Sequence, residues 1–294
     1  MLDYDSVAAM VYAAQERQCA ISDIVIEDQA VQMQLSVEEI YERMKHNLDV
    51  MRKSAANPGG ENDKSRSGLS GGDGFRMNRY AGSSGHSGPL SGDFCAMAMT
   101  KAIIISERNA GMGRIVAAPT AGSCGILPAA LLAMEELYHT EEKKLVMSLF
   151  TAGGLGLVIV RQASIAGADG GCQAECGSAA ALAAAALTEI RGGTPAQAAN
   201  ACAIAIKNQL GLVCDPVAGL VEVPCIKRNA GGVMCAIAAA DMALAGIESV
   251  IPVDEVISAM REVGDSLPAS LKETALGGLA ATPTGLALKQ KVFG

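Results

Sequence analysis

The chain has 294 residues, enough for one large domain with a substantial buried core. Half of it is apolar, yet only 3% is aromatic and there is no Trp, which points to a tightly packed helical body of Ala, Gly, Leu, Ile, Val and Met rather than a sheet sandwich. The net charge of −8 comes with no basic stripe, which argues against nucleic acid as a partner.

The first eighteen residues hold two early acids and no basic region, so they do not read as a secretory signal, and a helix is expected over 6–18. Ser36 with Glu39 has the pattern of a capping box, opening a helix that runs to about Lys53. From Ser54 to Asp93 Gly and Ser dominate, in SRSGLSGGDG and AGSSGHSGPLSGD. This stretch reads either as a flexible linker or as a loop whose backbone amides wrap a small anionic ligand. A structureless insert of this length within one domain is unusual, which keeps the second reading open.

Helices are expected next over 94–107, 127–138 and 143–163. The third contains the longest uncharged apolar run, Leu145 to Val160, which is short for a membrane span and broken by Gly153, Gly154 and Gly156. It reads as a buried core helix, and no membrane association is expected. Ser178 to Arg191 is mostly Ala, the best helix former, and stops at Gly192-Gly193. Thr194-Pro195-Ala196-Gln197 supplies an N-cap, a Pro at the first helical position and a Gln to close the box, for a helix reaching about Leu210 before Gly211. Helices over 230–246 and 252–263 follow. With no alternating run bounded by turns, the expected fold is all-α: one compact multi-helix domain over 1–294, packed through Ala and Gly, with glycine-rich loops at its active site.

Nine cysteines without an export signal imply a reducing, cytoplasmic setting, in which metal binding or plain burial explains them. Cys19, Cys95, Cys202 and Cys235 fall in apolar helical runs and read as small buried hydrophobes. Cys124 precedes a helix in AAPTAGSCGILPAAL. Cys172 and Cys176 lie in IAGADGGCQAECG, and Cys214 and Cys225 in GLVCDPVAGLVEVPCIKRNAGG, at breaks between helices where side chains converge. There is no zinc-ribbon CxxC pair and no ferredoxin-like run, so spacing alone leaves metal binding and burial both open.

The phrases APTAGSCGILPA, GCQAECG, CDPVAGLVEVPCIKRNA and LKETALGGLA occur in that order, with SGLSGG near residue 67. Together they resemble the iron–sulfur L-serine dehydratases, which convert L-serine to pyruvate and ammonia without pyridoxal phosphate. The resemblance implies a [4Fe–4S] cluster held by Cys172, Cys214 and Cys225. The single-chain form of that family carries an extra N-terminal domain and a C-terminal cysteine that caps the fourth iron. Here the last cysteine is Cys235. The chain therefore resembles the catalytic α subunit of the two-subunit form, which implies a separate β subunit and a hetero-oligomer. Solvent, Cys124 or Cys176 are the candidates for the fourth iron.

Dehydrating serine means expelling a poor leaving group and removing a weakly acidic proton. An iron free of protein ligands acts as a Lewis acid on the hydroxyl, and a base takes the α-proton. His46 and His139 read as solvated surface residues. His86, in the glycine-rich loop, is the histidine candidate for the base, beside a lysine, a serine or a group of the β chain. Ser67, Gly68, Ser70 and Gly71, with Thr120 and Ser123 ahead of a helix, are candidate donors to the substrate carboxylate. Asn229 either orients a ligand or caps the next helix. The rival readings are a cysteine-desulfidase-like iron–sulfur lyase, a non-catalytic redox sensor and a structural zinc protein.

Overall fold

A computed structural model describes residues 4–85 and 88–294. The described residues form thirteen α-helices and no strand. In chain order these are α1 (Val7–Glu16), α2 (Ile21–Met33), α3 (Val37–Ala55), α4 (Asp73–Ala81), α5 (Gly92–Ala110), α6 (Ile126–Tyr138) and α7 (Glu142–Gln162). There follow α8 (Gly167–Gly170), α9 (Ser178–Ile190), α10 (Pro195–Lys207), α11 (Cys225–Leu244), α12 (Val253–Ser266) and α13 (Pro283–Phe293). The expected all-α architecture is thus observed.

Composition explains the centre of the fold. The Ala-rich α9 is buried on every side from Ser178 to Thr188, as expected of a helix with no polar face. It is enclosed by α6, α7, α10 and α11, while α5 packs on α11 and α6. Small residues set the spacing. A Cβ at Gly154 of α7 would stand 2.6 Å from Val25 Cγ2 of α2, and one at Gly232 of α11 would stand 2.4 Å from Ile126 Cδ1 of α6. Helix α7 is long and apolar enough to cross a membrane, but 61% of its apolar window is buried in the protein, against α2, α3 and α9. It is a core helix.

Both expected capping boxes form. Ser36 N–H donates to Glu39 Oε2 at 2.8 Å while Glu39 N–H donates to Ser36 Oγ at 3.2 Å. Thr194 and Gln197 exchange the same pair of bonds at 2.9 and 3.2 Å.

Other boundaries differ from expectation. The glycine- and serine-rich stretch is not structureless: α3 reaches into it and α4 lies within it. Cys19 sits in the turn between α1 and α2 rather than in a helix, and Cys225 is the first residue of α11 rather than part of a loop. Helix α10 stops at Lys207, short of Leu210, because the chain turns away to meet Gln173. There Gly211 N–H donates to Gln173 Oε1 and Gln173 N–H donates to Leu212 O, both at 2.9 Å.

In the last turn of α9, the Glu189 carboxylate accepts from Thr151 Oγ1 of α7 and from the Ser22 N–H of α2. Burial raises its pKa, partly offset by these donors. A raised folded-state value stabilises the fold fully below the ordinary carboxyl range, and this contribution is lost as pH rises through the raised value. The Tm difference between Glu189→Gln and wild type should therefore shift in favour of the variant as pH rises from acid to neutral. A pH-independent difference in thermal melts would show that Glu189 titrates normally.

Candidate functional site

Cys172 follows α8 through Gly171, whose φ is +75°. A Cβ at Gly171 would lie 2.7 Å from Leu267 Cδ1 and 2.9 Å from Leu212 O, so the approach of two segments requires glycine there. A π-helical turn then runs over Gln173–Gly177 before α9 begins. Such turns recur at functional sites because they re-aim side chains out of helical register. This one brings Cys176 Sγ to 3.3 Å from Cys172 Sγ. The Gln173 amide anchors it, donating through Nε2 to Met260 O of α12 at 2.8 Å and accepting the Gly211 N–H through Oε1.

Cys214 is held by its backbone. Its N–H donates to Leu271 O at 2.9 Å and its carbonyl accepts from Glu273 N–H at 2.8 Å, a short parallel bridge with Lys272. The next residue, Asp215, accepts from Arg228 Nη2 at 2.8 Å and from the Leu279 N–H at 2.7 Å. Arg228 also donates to Val213 O at 2.7 Å, and its positive charge lowers the pKa of the Cys172 thiol. Arg228 thus ties the Cys214 segment to α11, whose first residue is Cys225.

Cys172, Cys214 and Cys225 are all buried, at 3%, 4% and 9% exposure. The hydrogen bond with Cys176 lowers the Cys172 thiol, and Arg228 adds to this against the cost of burial. Cys176 moves the other way, well above the usual thiol range, through the same hydrogen bond and its own burial. Burial, then the charges of Glu175 and Cys172, raises Cys214. Burial and the charge of Cys172 push Cys225 up to about 12. Cys214 feels the charges of Cys172 and Cys225, and Cys225 feels that of Cys172. Cys124 is separate: buried in a small cluster with Ala55, Ile105 and Leu132, it is pushed up to about 12 by desolvation.

Glu175, between Cys172 and Cys176, closes the site on one side. Its Oε1 accepts from Thr120 Oγ1 at 2.9 Å, and its Oε2 lies 4.0 Å from Cys214 Sγ. Burial raises its carboxyl, with Thr120 opposing. A Cβ at Gly167 would meet both Cys214 Sγ and Glu175 Oε2 at 2.9 Å, and one at Gly122 would meet Glu175 Oε1 at 3.0 Å. Glycine keeps both positions clear of the sulfur and the carboxylate.

The other predicted residues take definite places. Thr120 and Ser123 share a hydroxyl contact at 3.0 Å, in the turn before α6. Asn229 is neither a cap nor exposed. From inside α11 its amide accepts from Gly125 N–H at 2.8 Å and donates to Gly122 O at 2.7 Å and Cys225 O at 2.9 Å, pinning the 120–125 turn beside Cys225. Ser67 and Ser70 direct their hydroxyls to Glu222, while Gly68 and Gly71 shape the same loop with positive φ. His46 and His139 are exposed, as expected, and His86 lies outside the described residues. The sequence pattern gave no role to Glu175, Arg228 or Glu222, although all three stand within the quoted phrases beside the cysteines.

The residues present fit a thiolate-bound iron–sulfur group. Three buried sulfurs share one neighbourhood, a guanidinium offsets their negative charge, and the Ser178 hydroxyl, two residues beyond Cys176, is buried with no partner. Among the described residues no three His, Cys, Asp or Glu side chains converge as a single metal ion requires.

The family model described as "Serine dehydratase alpha chain" matches residues 16–280, a range that includes all three cysteines. The chain is 50% identical over 291 residues to the "Probable L-serine dehydratase, alpha chain" of Bacillus subtilis (strain 168), covering 99% of this chain and 96% of that protein. It is 49% identical over 275 residues to the "L-serine dehydratase, alpha chain" of Peptoniphilus asaccharolyticus, covering 94% and 93%. It is 45% identical over 181 residues to "L-serine dehydratase 2" of Escherichia coli (strain K12), covering 61% of this chain and 40% of that protein. This extent of similarity, running through the site just described, shows that the chain belongs to the serine dehydratase alpha chain family.

Proposed function

We propose that this chain is the catalytic α subunit of a cytoplasmic L-serine dehydratase. It releases pyruvate and ammonia, holds a [4Fe–4S] cluster on Cys172, Cys214 and Cys225, and works with a separate β subunit. The observation that carries this reading is the gathering of those three buried cysteines around Arg228 and Glu175, in a chain of this family.

The protein's own groups have distinct tasks. Arg228 offsets the negative charge of the thiolates and, through Asp215 and Val213, holds the segment that carries Cys214. Thr120 and Ser123, linked to Glu175, present hydroxyls to a small polar substrate, and Asn229 fixes the turn that carries them. When bound, the cluster supplies a Lewis-acidic iron for the substrate hydroxyl. His86 or a group of the β subunit takes the α-proton.

The test uses anaerobically purified protein with its β chain. L-Serine should yield pyruvate and ammonia and should perturb the visible iron–sulfur spectrum. Preferred release of sulfide from cysteine would replace this reading with a desulfidase. A colourless protein, or a coloured one indifferent to serine, would overturn it.

A further inference from the structure

Glu222 lies in the turn that leads into α11, where its carbonyl accepts the Ile226 N–H at 3.0 Å. It is buried, at 5% exposure, and has no cationic partner among the described residues. An isolated buried carboxylate is costly unless hydrogen bonds satisfy it. Here three serine hydroxyls do so, all from the glycine-rich stretch. Ser65 and Ser70 donate to Oε2 at 2.6 and 2.5 Å, and Ser67 donates to Oε1 at 2.7 Å. Hydrogen bonds to an ionised acceptor are the strong ones. A second tie follows directly, between Lys227 of α11 and Asp73 at the start of α4.

Between these ties the chain turns through Gly71 and Gly72, with φ of +124° and +78°. A Cβ at Gly71 would lie 2.3 Å from Asp63 O, and one at Gly72 would lie 2.3 Å from Glu61 O, so the loop is folded back on 61–63 as only glycine permits. The amides of Asp73 and Gly74 donate to Glu107 at 2.8 and 2.9 Å. Those of Gly71 and Gly72 have no acceptor among the described residues.

We propose that Glu222 is a positioning residue. It latches the 65–72 loop onto the segment that carries Cys225, so that the loop amides receive the substrate carboxylate. The inference rests on the serine dehydratase reading and assigns the grip to backbone amides, because Glu222 already engages the Ser67 and Ser70 hydroxyls. Loss of the latch lowers substrate affinity and leaves the three cysteines untouched.

The experiment compares Glu222→Ala and Glu222→Gln with wild type in the anaerobic holoenzyme. It reads steady-state kinetics on L-serine, iron and sulfide content, and the rate of tryptic cleavage at Lys64 and Arg66. For Glu222→Ala, KM should rise on the order of tenfold with a much smaller change in kcat, cluster content should hold, and cleavage should quicken. Glu222→Gln, which keeps an acceptor for the hydroxyls, should fall between. Unchanged KM and cleavage would overturn the latch. So would loss of the cluster in both variants, which would make Glu222 a prop for the cysteines instead. A wild-type enzyme that turns over no serine would sink the functional reading, while the cleavage rates would still report on the latch.

Discussion

Replacing Cys214 by Ala should abolish serine turnover, by at least about a thousandfold, and should remove the visible colour of anaerobic protein. The size follows from what is lost: a Lewis acid contributes several kcal/mol to a step whose leaving group is hydroxide. Loss of activity should be separable from loss of fold. Cys214 is positioned through its backbone bonds to Leu271 and Glu273, which an alanine keeps, and only a small side chain is removed. Far-ultraviolet dichroism should therefore match wild type. Cys176→Ala is the control: its sulfur touches Cys172 but is not assigned as a ligand, so colour and most activity should survive. A coloured, active Cys214→Ala enzyme would defeat the cluster assignment. A colourless Cys176→Ala enzyme would move the ligand set.

Asn229→Ala should cost roughly 3 kcal/mol of stability, since it breaks three hydrogen bonds at about 1 kcal/mol each. The Gly125 N–H and the Gly122 and Cys225 carbonyls would be left without that partner in a buried setting. For a chain of this size the loss corresponds to a fall in Tm of roughly 5 °C. Asn229→Asp should be worse, because a carboxylate would face two carbonyl oxygens where the amide donates. Thermal melts of both variants under anaerobic conditions decide the matter. A loss below about 1 kcal/mol would mean that water replaces the amide at little cost.

The helices most legible in the sequence were those with a local chemical signature. Ser36 with Glu39 and Thr194 with Gln197 fix their helix starts because the same side chains close the box in the structure. The Ala-rich run could only be a buried helix once no strand signal appeared. Helix α13 opens with the same Thr-Pro pair, Thr282-Pro283, but its face is only weakly amphipathic and gave no expectation. Helix α4 was hidden by the glycine and serine around it, and its start depends on Glu107, a residue far along the chain.

For the site, Cys172, Cys214 and Cys225 were singled out through resemblance and not through spacing, because three separate segments carry them. The charged partners were not. Nothing local marks Arg228 as the neighbour of Cys172, or Glu222 as the acceptor for three serines, since both relations exist only after the helices pack. Asn229, expected either to orient a ligand or to cap the next helix, instead pins the 120–125 turn from within α11.

The bracing of Cys214 and Asp215 by Leu271, Glu273 and Leu279 also has a consequence for vectorial synthesis. A chain leaves the ribosome N-terminus first, at roughly 5–20 residues per second. All three cysteines emerge before the backbone groups that fix Cys214 are made. A cluster held as proposed would therefore lack its final frame on a nascent chain that stops short of residue 279. On the proposed reading, iron delivery would follow translation of that stretch, to thiols whose backbone frame is already set.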